Sequence, residues 1–184
     1  MIQILESLTQ PQEPISLQTA YAQLKLDIEN GVHPEDEWLK KIAIPAARSK
    51  AEEFTGLILA QRSLRLTIDG FPAGSILLPP PVKSVDSVNY FDGNGNEVAY
   101  TDFRLTGGSL KPVSVWPSGE MVQIVFTSGY SSNEVIPPSL MVGMLLILGH
   151  IYKNREVLTD REMFVMPAGA ESFLRPSRVN LGMA

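Results

Sequence analysis

The spacing of apolar residues changes twice along the chain, and this change restricts the fold more than any single motif does. From 16 to 55 apolar residues recur every three or four positions, which is typical of amphipathic helices. From 61 to 128 they alternate with polar residues, which is typical of strands with one solvent-facing side. From 138 a run is apolar on nearly every side. The pattern predicts an α+β fold in which a helical bundle carries a β-rich insertion.

Three helices are predicted, over about 16–29, 34–55 and 138–156. Ser16 is a suitable N-cap for the first helix. Pro45 lies inside the second helix, where its missing amide hydrogen predicts a kink or a break. The third is expected to be the central core helix. On the second helix we expect a buried apolar face of Trp38, Ile42, Ala46 and Phe54, and a solvated surface with Lys40, Lys41, Arg48 and Lys50.

The β-rich insertion is predicted over about 61–128, and its clearest local signal is a hairpin turn. Asp92-Gly93-Asn94-Gly95 lies between two alternating segments, which favours a tight turn. The same residues resemble the start of an EF-hand loop, which needs Gly at its sixth position and Glu at its twelfth. Glu97 and Phe103 occupy those positions, so the calcium interpretation fails. The strands are expected at 63–69, Ser75–Leu78, Ser84–Phe91, Glu97–Tyr100, Phe103–Leu105 and Met121–Thr127.

The residue inventory excludes several kinds of chemistry. The chain of 184 residues has no cysteine, which rules out disulfides, thiolate nucleophiles and cysteine-based metal sites. His33 and His150 are the only histidines, and no G-x-S-x-G, P-loop or dinucleotide motif is present. We therefore expect no catalytic residue, no metal site and no cofactor.

Composition favours a protein that works inside an assembly. Charged residues are only 19% of the chain, so much of the surface must be uncharged, although a loop-rich monomer would look similar. The formal net charge of −5 argues against a free-standing nucleic-acid binder. Neither a signal peptide nor a stretch long enough to span a bilayer is apparent, so a soluble protein made in the cytoplasm is expected.

Residues 1–165 are predicted to form a single domain, and residues 166–184 an extended C-terminal tail. Pro167 and Gly169 are poor helix formers, so the tail is expected to be mobile in the free protein. On this interpretation the tail could be removed with little effect on the stability of the domain.

The motifs, taken in order, resemble the head–tail connector (adaptor) proteins of long-tailed bacteriophages and prophages. The resemblance extends from Ser16 to Arg178, and it rests on order and spacing rather than on one diagnostic piece. Leu57, where the family commonly has Arg, and Pro45 depart from the family pattern. The motifs are Ala46–Arg48, Glu53–Gly56, Asp69–Pro72, Leu78–Val82, Tyr90–Gly95, Trp116–Pro117, Ser128–Tyr130, Pro137–Leu140, Tyr152–Glu156 and Phe173–Arg178.

The resemblance implies a structural virion-assembly protein without enzymatic activity. Such proteins form a ring, commonly of twelve subunits, between the portal protein and the tail. The ring extends the DNA channel without sequence-specific DNA binding and completes the head after DNA packaging. The implied partners are further copies of the chain, the portal protein and the next neck or tail-completion protein, with no membrane. The implied location is the virion neck, with assembly in the cytoplasm of the bacterial host.

Two sets of residues are the candidate contact sites. Phe173 and Leu174 offer apolar anchors in the tail, and Arg175 and Arg178 offer charges that could pair with acidic portal residues. The alternative is that Phe173 and Leu174 pack on the protein's own helices. Contacts between subunits are expected at Asp92, Asn94, Arg155 and Glu156.

Two other functions remain open at this point. The first is a stopper or tail-completion protein elsewhere in the neck. The second is a small enzyme whose active site is assembled from distant residues, for which His33 and His150 are the available histidines.

Overall fold

The computed structural model describes residues 3–28, 32–155 and 166–179, which divide into two compact units. The described part of the sheet unit is residues 3–12 and 60–131. The described part of the helical unit is residues 13–28, 32–59, 132–155 and 166–179. The predicted α+β class is confirmed. The sheet unit corresponds to the predicted β-rich insertion joined by a strand from the start of the chain.

The described strands of the sheet unit form two antiparallel sheets. The five-stranded sheet has the order β1-β2-β8-β4-β5, and the three-stranded sheet has the order β3-β7-β6. The strands are β1 (Gln3–Ser7), β2 (Arg62–Gly70), β3 (Ile76–Leu77), β4 (Val82–Phe91), β5 (Glu97–Ala99), β6 (Phe103–Thr106), β7 (Ser109–Pro112) and β8 (Glu120–Ser128).

Strand alternation creates the apolar layer of the sheet unit. Leu64, Leu66 and Ile68 on β2 are buried, and they pair in register with the buried Phe126, Ile124 and Val122 on β8. The predicted hairpin joins β4 to β5, with the Asp92 amide donating to the Asn96 carbonyl at 3.0 Å. Two strands were not predicted: β1, in which all five residues are exposed, and β7 (Ser109–Pro112). Neither strand carries a clear alternation of apolar and polar residues.

The described residues of the helical unit form five α-helices, two of them short. No helix among the described residues is long and apolar enough to cross a membrane. The elements are α1 (Leu17–Leu24), α2 (Asp36–Trp38), a π-helical segment (Leu39–Ala43), α3 (Ile44–Thr55), α4 (Pro138–Lys153), α5 (Ala168–Leu174) and a 3-10 turn (Arg175–Ser177).

Helix α1 begins as predicted and ends earlier than predicted. The Ser16 hydroxyl accepts a hydrogen bond from the Thr19 amide at 3.1 Å, as an N-cap does. Lys25 adopts a left-handed conformation, and the amides of Lys25 and Leu26 both donate to the Tyr21 carbonyl. This closes the helix without glycine, before the predicted end at about residue 29. Residues 29–31 lie outside the described part of the chain.

The expected break near Pro45 takes the form of a π-helical segment directly before α3. A proline cannot donate the amide hydrogen bond of an α-helix, and the Ile44 amide donates to the Leu39 carbonyl, five residues back. The buried face follows Leu39, Ala43, Ala47 and Ala51. The predicted face is therefore wrong by one position: Ile42 is 54% exposed and Ala46 is exposed, while Trp38 and Phe54 are half-buried.

The described part of the C-terminal tail is helical rather than extended. Helix α5 buries Ala170 and Leu174 completely, and the Val179 amide donates to the Thr55 carbonyl at 2.7 Å. A Cβ placed on Gly143 of α4 would lie 2.5 Å from Leu174 Cδ2, so Leu174 occupies the space that this glycine leaves free. The prediction of an extended, loosely held tail is wrong for residues 166–179 because Leu174 packs on a helix more than thirty residues away in sequence.

Candidate interaction surfaces

The two histidines have local structural partners. His33 accepts a hydrogen bond at Nδ1 from the Glu35 amide at 3.2 Å. His150 lines a groove of about 310 Å³ together with Ser49, Lys50 and Glu53. There Glu53 bonds Lys50 at 3.0 Å, and His150 Nδ1 lies 3.3 Å from Asn154 Nδ2. These described residues therefore form no Ser–His–carboxylate relay, and the described chain has no group of three His, Asp or Glu placed to hold a metal.

Arg155 lies in a cluster that we call the arginine clamp: Glu35, Trp38, Tyr152 and Arg155. Its guanidinium carbon is 4.0 Å from the centre of the Trp38 ring and 4.2 Å from that of Tyr152. Both terminal nitrogens donate to the Glu35 carboxylate, one of them at 2.7 Å, and the Tyr152 hydroxyl donates to it at 2.6 Å. The clamp joins the start of α2 to the end of α4.

The electrostatics of the clamp follow from these contacts. The hydrogen bond from Arg155, with that from Tyr152, lowers the pKa of Glu35 to about 2. The neighbouring Asp36 accepts a hydrogen bond from Tyr21, which raises the pKa of that phenol to about 12. Arg155 is thus paired within its own subunit, a partnership that the sequence analysis did not foresee. Its proposed role between subunits stays a prediction, and Glu156 lies outside the described residues.

The Asp92–Asn96 hairpin presents a turn whose shape Asp92 maintains. One carboxylate oxygen of Asp92 accepts from the amides of Asn94 and Asn96, both at 2.9 Å. These bonds, above all that from Asn96, lower the pKa of Asp92 below its ordinary value. Asn94 is exposed, and its backbone amide is one of the two donors to that oxygen. Asp92 therefore maintains the shape of the turn, and Asn94 is exposed on it. Both residues were predicted to take part in the same contact between subunits.

The four predicted portal-docking residues separate into two groups. Leu174 is fully buried in the helical unit, so for this residue the alternative of packing on the protein's own helices is correct. Phe173 is 42% exposed, and Arg175 is exposed while it pairs with Glu171. Arg178 is exposed, and its guanidinium lies 5.4 Å from the centre of the Phe54 ring. Phe173, Arg175 and Arg178 remain available to a partner.

Arg48 is a buried structural residue that the sequence analysis placed on a solvated surface. Only 8% of it is exposed. Its Nε donates to the Glu13 carboxylate at 3.0 Å, and another nitrogen donates to Glu52 Oε2 at 2.7 Å. The other oxygen of Glu52 accepts from the Leu59 amide at 2.7 Å. The alanines at 43, 47 and 51 mark the same helix face, so the alanine spacing could have revealed this burial.

A second missed cluster lies in the sheet unit. Phe71 stacks on Trp116 with ring centres 4.8 Å apart, and Tyr90 and Tyr100 complete the group. Trp116 Nε1 donates to the Gly74 carbonyl at 2.6 Å. Beside this cluster the chain exposes Val115 to 77%. The four aromatic residues come from separate segments, which is why no local pattern indicated the cluster.

No protein-family model and no curated protein matches the chain. Among solved structures, a chain of the virion of a native gene transfer agent (GTA) particle is 21% identical, with a TM-score of 0.76. A chain from the neck of an empty GTA particle computed with C6 symmetry is 20% identical, with a TM-score of 0.75. A third, from the neck of a native GTA particle computed with C12 symmetry, is 21% identical, with a TM-score of 0.67. Each alignment covers 96% of both chains.

The chain shares its fold with neck chains of a GTA particle. The similarity includes both the sheet unit and the helical unit, because it leaves only a few residues of the chain unmatched. The predicted resemblance to phage neck connectors is therefore confirmed at the level of the fold. At this level of sequence identity the comparison establishes the fold alone.

Proposed function

We propose that this chain is a structural neck protein of a phage-like particle and acts as the head–tail connector, or adaptor. In this role copies of the chain form a ring between portal and tail, extend the DNA channel and complete the head. The observation that carries the proposal is the fold match over 96% of both chains to GTA neck chains, including necks computed with C6 and C12 symmetry. We infer a ring of twelve subunits with no enzymatic activity.

The charge of the chain supports a channel role. A DNA channel should not hold phosphates tightly, because each phosphate contact releases counterions and strengthens binding. The net charge of −5 disfavours such contacts. A connector therefore needs to bind its protein neighbours without binding the DNA that passes through it.

The decisive experiment is assembly of the full-length chain with the portal protein of its own particle. We expect rings by negative-stain electron microscopy and a portal–connector complex by mass photometry. A stopper or tail-completion protein would join only after another neck protein had bound the portal. A chain that stays monomeric at every concentration, with and without portal, would contradict the ring.

We also propose that the exposed part of the C-terminal segment contacts the portal. The relevant side chains are Phe173, Arg175 and Arg178, whereas Leu174 belongs to the core. Phe173→Ala and Arg175→Glu should weaken portal binding and leave the melting temperature nearly unchanged. Unchanged portal binding in both variants would remove this segment from the interface.

The hairpin is a second proposed contact, between neighbouring subunits. Asn94→Ala removes an exposed side chain and keeps the backbone hydrogen bonds to Asp92, while Asp92→Ala removes the bonds that shape the turn. If the hairpin bridges neighbours, both variants should assemble less well, and Asp92→Ala should have the larger effect. Normal rings from both variants would assign the hairpin to another partner.

A further inference from the structure

Two irregular backbone segments each expose an apolar side chain, one beside carboxylates and the other beside two lysines. The first, which we call the acidic patch, is Ile4 and Met121 with Asp69 and Glu120. The second, the basic patch, is Ile42 with Lys40 and Lys41. We propose that the basic patch of one subunit docks on the acidic patch of the next subunit. This inference rests on the proposed ring and names the surfaces that would form it.

The acidic patch surrounds an open hollow in the sheet unit. The hollow has a volume of about 560 Å³ and is lined by Ile4, Asp69, Glu120 and Met121, among others. Ile4 and Met121 are each 52% exposed. Burial of such side chains on binding is favourable in proportion to the apolar area removed from water. The hollow is therefore lined by apolar side chains together with two carboxylates.

Met121 is held in an unusual conformation at this place. Its φ of 48° lies in the left-handed region, which non-glycine residues rarely occupy. Strand β8 has two residues between Glu120 and Gln123, whereas the paired stretch of β4 has one residue between Phe91 and Asn89. Strand β8 therefore bulges here. Backbone strain of this kind persists where the surrounding structure imposes it, and it often accompanies functional sites.

The basic patch lies on the π-helical segment before Pro45. The backbone irregularity moves the buried face to Leu39 and Ala43 and leaves Ile42 54% exposed. Lys40 is exposed, and Lys41 is exposed although it pairs with Glu37 at 2.7 Å. π-Helical turns are rare and occur frequently at functional sites. An exposed isoleucine that follows two exposed lysines complements an apolar hollow lined in part by carboxylates.

A second copy of the chain is the occupant that fits these two surfaces. They lie on different units of the chain, so a contact between them is heterologous, with a different surface on each partner. Heterologous contacts produce rings when the rotation between subunits closes. Each copy also supplies both surfaces in equal number. Opposite charges would set the register of the contact, while the apolar side chains would supply the buried area.

The absence of cysteine from the chain allows a direct test. Ile42→Cys and Met121→Cys subunits, one of them tagged, are mixed, assembled into rings and oxidised. We expect a disulfide-linked heterodimer on a non-reducing gel. Ile42→Cys mixed with Val115→Cys is the control, because Val115 is more exposed than Met121 and lies outside the patch. If Met121→Cys does not fold, Ile4→Cys takes its place.

Charge exchange provides an independent arm of the test. Lys40→Glu should slow the formation of this cross-link by about fivefold, and adding Glu120→Lys to the partner should restore it. Lys111→Glu, at another exposed lysine, should have no effect. Rings that form without cross-linking above the Val115 control would overturn the inference and leave the ring intact. Failure of the unmodified chain to form rings would overturn both.

Discussion

The first strand and the last α-helix of the described chain are attached in opposite ways. Strand β1 pairs with β2 through five consecutive residues, yet all of its side chains are exposed. Helix α5 has only seven residues and buries two of them completely, at Ala170 and Leu174. Backbone hydrogen bonds replace bonds to water and add little net stability each, whereas buried side chains add more. One substitution in α5 should therefore cost more than one substitution in β1.

The largest expected effect is at Leu174. Leu174→Ala removes a fully buried side chain from the contact with Gly143 and leaves a cavity, so the free energy of unfolding should fall by about 2–5 kcal/mol. Urea denaturation measures the change. Phe173→Ala, at the neighbouring half-exposed position, is the control and should cost much less. Equal effects would mean that α5 is not anchored through Leu174.

The same contact can be tested from the other helix. On Gly143 a Cβ would lie 2.5 Å from Leu174, and overpacking of this kind costs about 1–3 kcal/mol. On Gly149 of the same helix, the nearest atom to a Cβ is Gln23 Nε2 at 3.9 Å. Thermal denaturation should show Gly143→Ala destabilised and Gly149→Ala unchanged or stabilised, since alanine is the better helix former. If both variants were stabilised, α5 would have to shift at little cost to make room for the added Cβ.

The free-energy cost of weakening a polar contact should lie between the cost of a substitution in α5 and the cost of one in β1. Glu35→Gln weakens the clamp, whose Arg155 and Glu35 side chains are about one-third exposed, so the cost at pH 7 should be on the order of 1 kcal/mol. Because the folded pKa of Glu35 is lowered to about 2, its contribution is complete above the ordinary value of 4.5 and declines as the pH falls from there toward 2. The stability difference between wild type and Glu35→Gln should shrink over that range. A pH-independent difference would contradict the pairing.

The smallest expected effect is at β1. Ile4→Ser replaces a half-exposed side chain on an edge strand, so the stability of the isolated chain should change by less than about 0.5 kcal/mol. Leu66→Ala, on the neighbouring strand and only 3% exposed, is the matched control and should cost about 2–5 kcal/mol. A large loss from Ile4→Ser in the monomer would show that β1 is held by its side chains after all.

Local patterns in the sequence were sufficient for the elements that depend on neighbouring residues. The alternation in β2 and β8, the Asp92–Asn96 turn and the apolar run of α4 all appear where they were predicted. The fold class followed from the order of these elements, and the resemblance to neck connectors rested on the order and spacing of the motifs. A strand with every residue exposed has no such pattern, and β1 was missed for that reason.

The tertiary structure decided what no local pattern carries. Arg48 is buried because Glu13, 35 residues away, and Glu52 neutralise it. Arg155 turns toward its own subunit because Glu35, 120 residues away, accepts both of its terminal nitrogens. Helix α5 is held because Gly143 leaves room for Leu174. Sequence by itself determined the periods and turns of this protein, since those depend on adjacent residues. The burial of a charge, the partner of an arginine and the anchoring of a short helix required groups that only folding brings together.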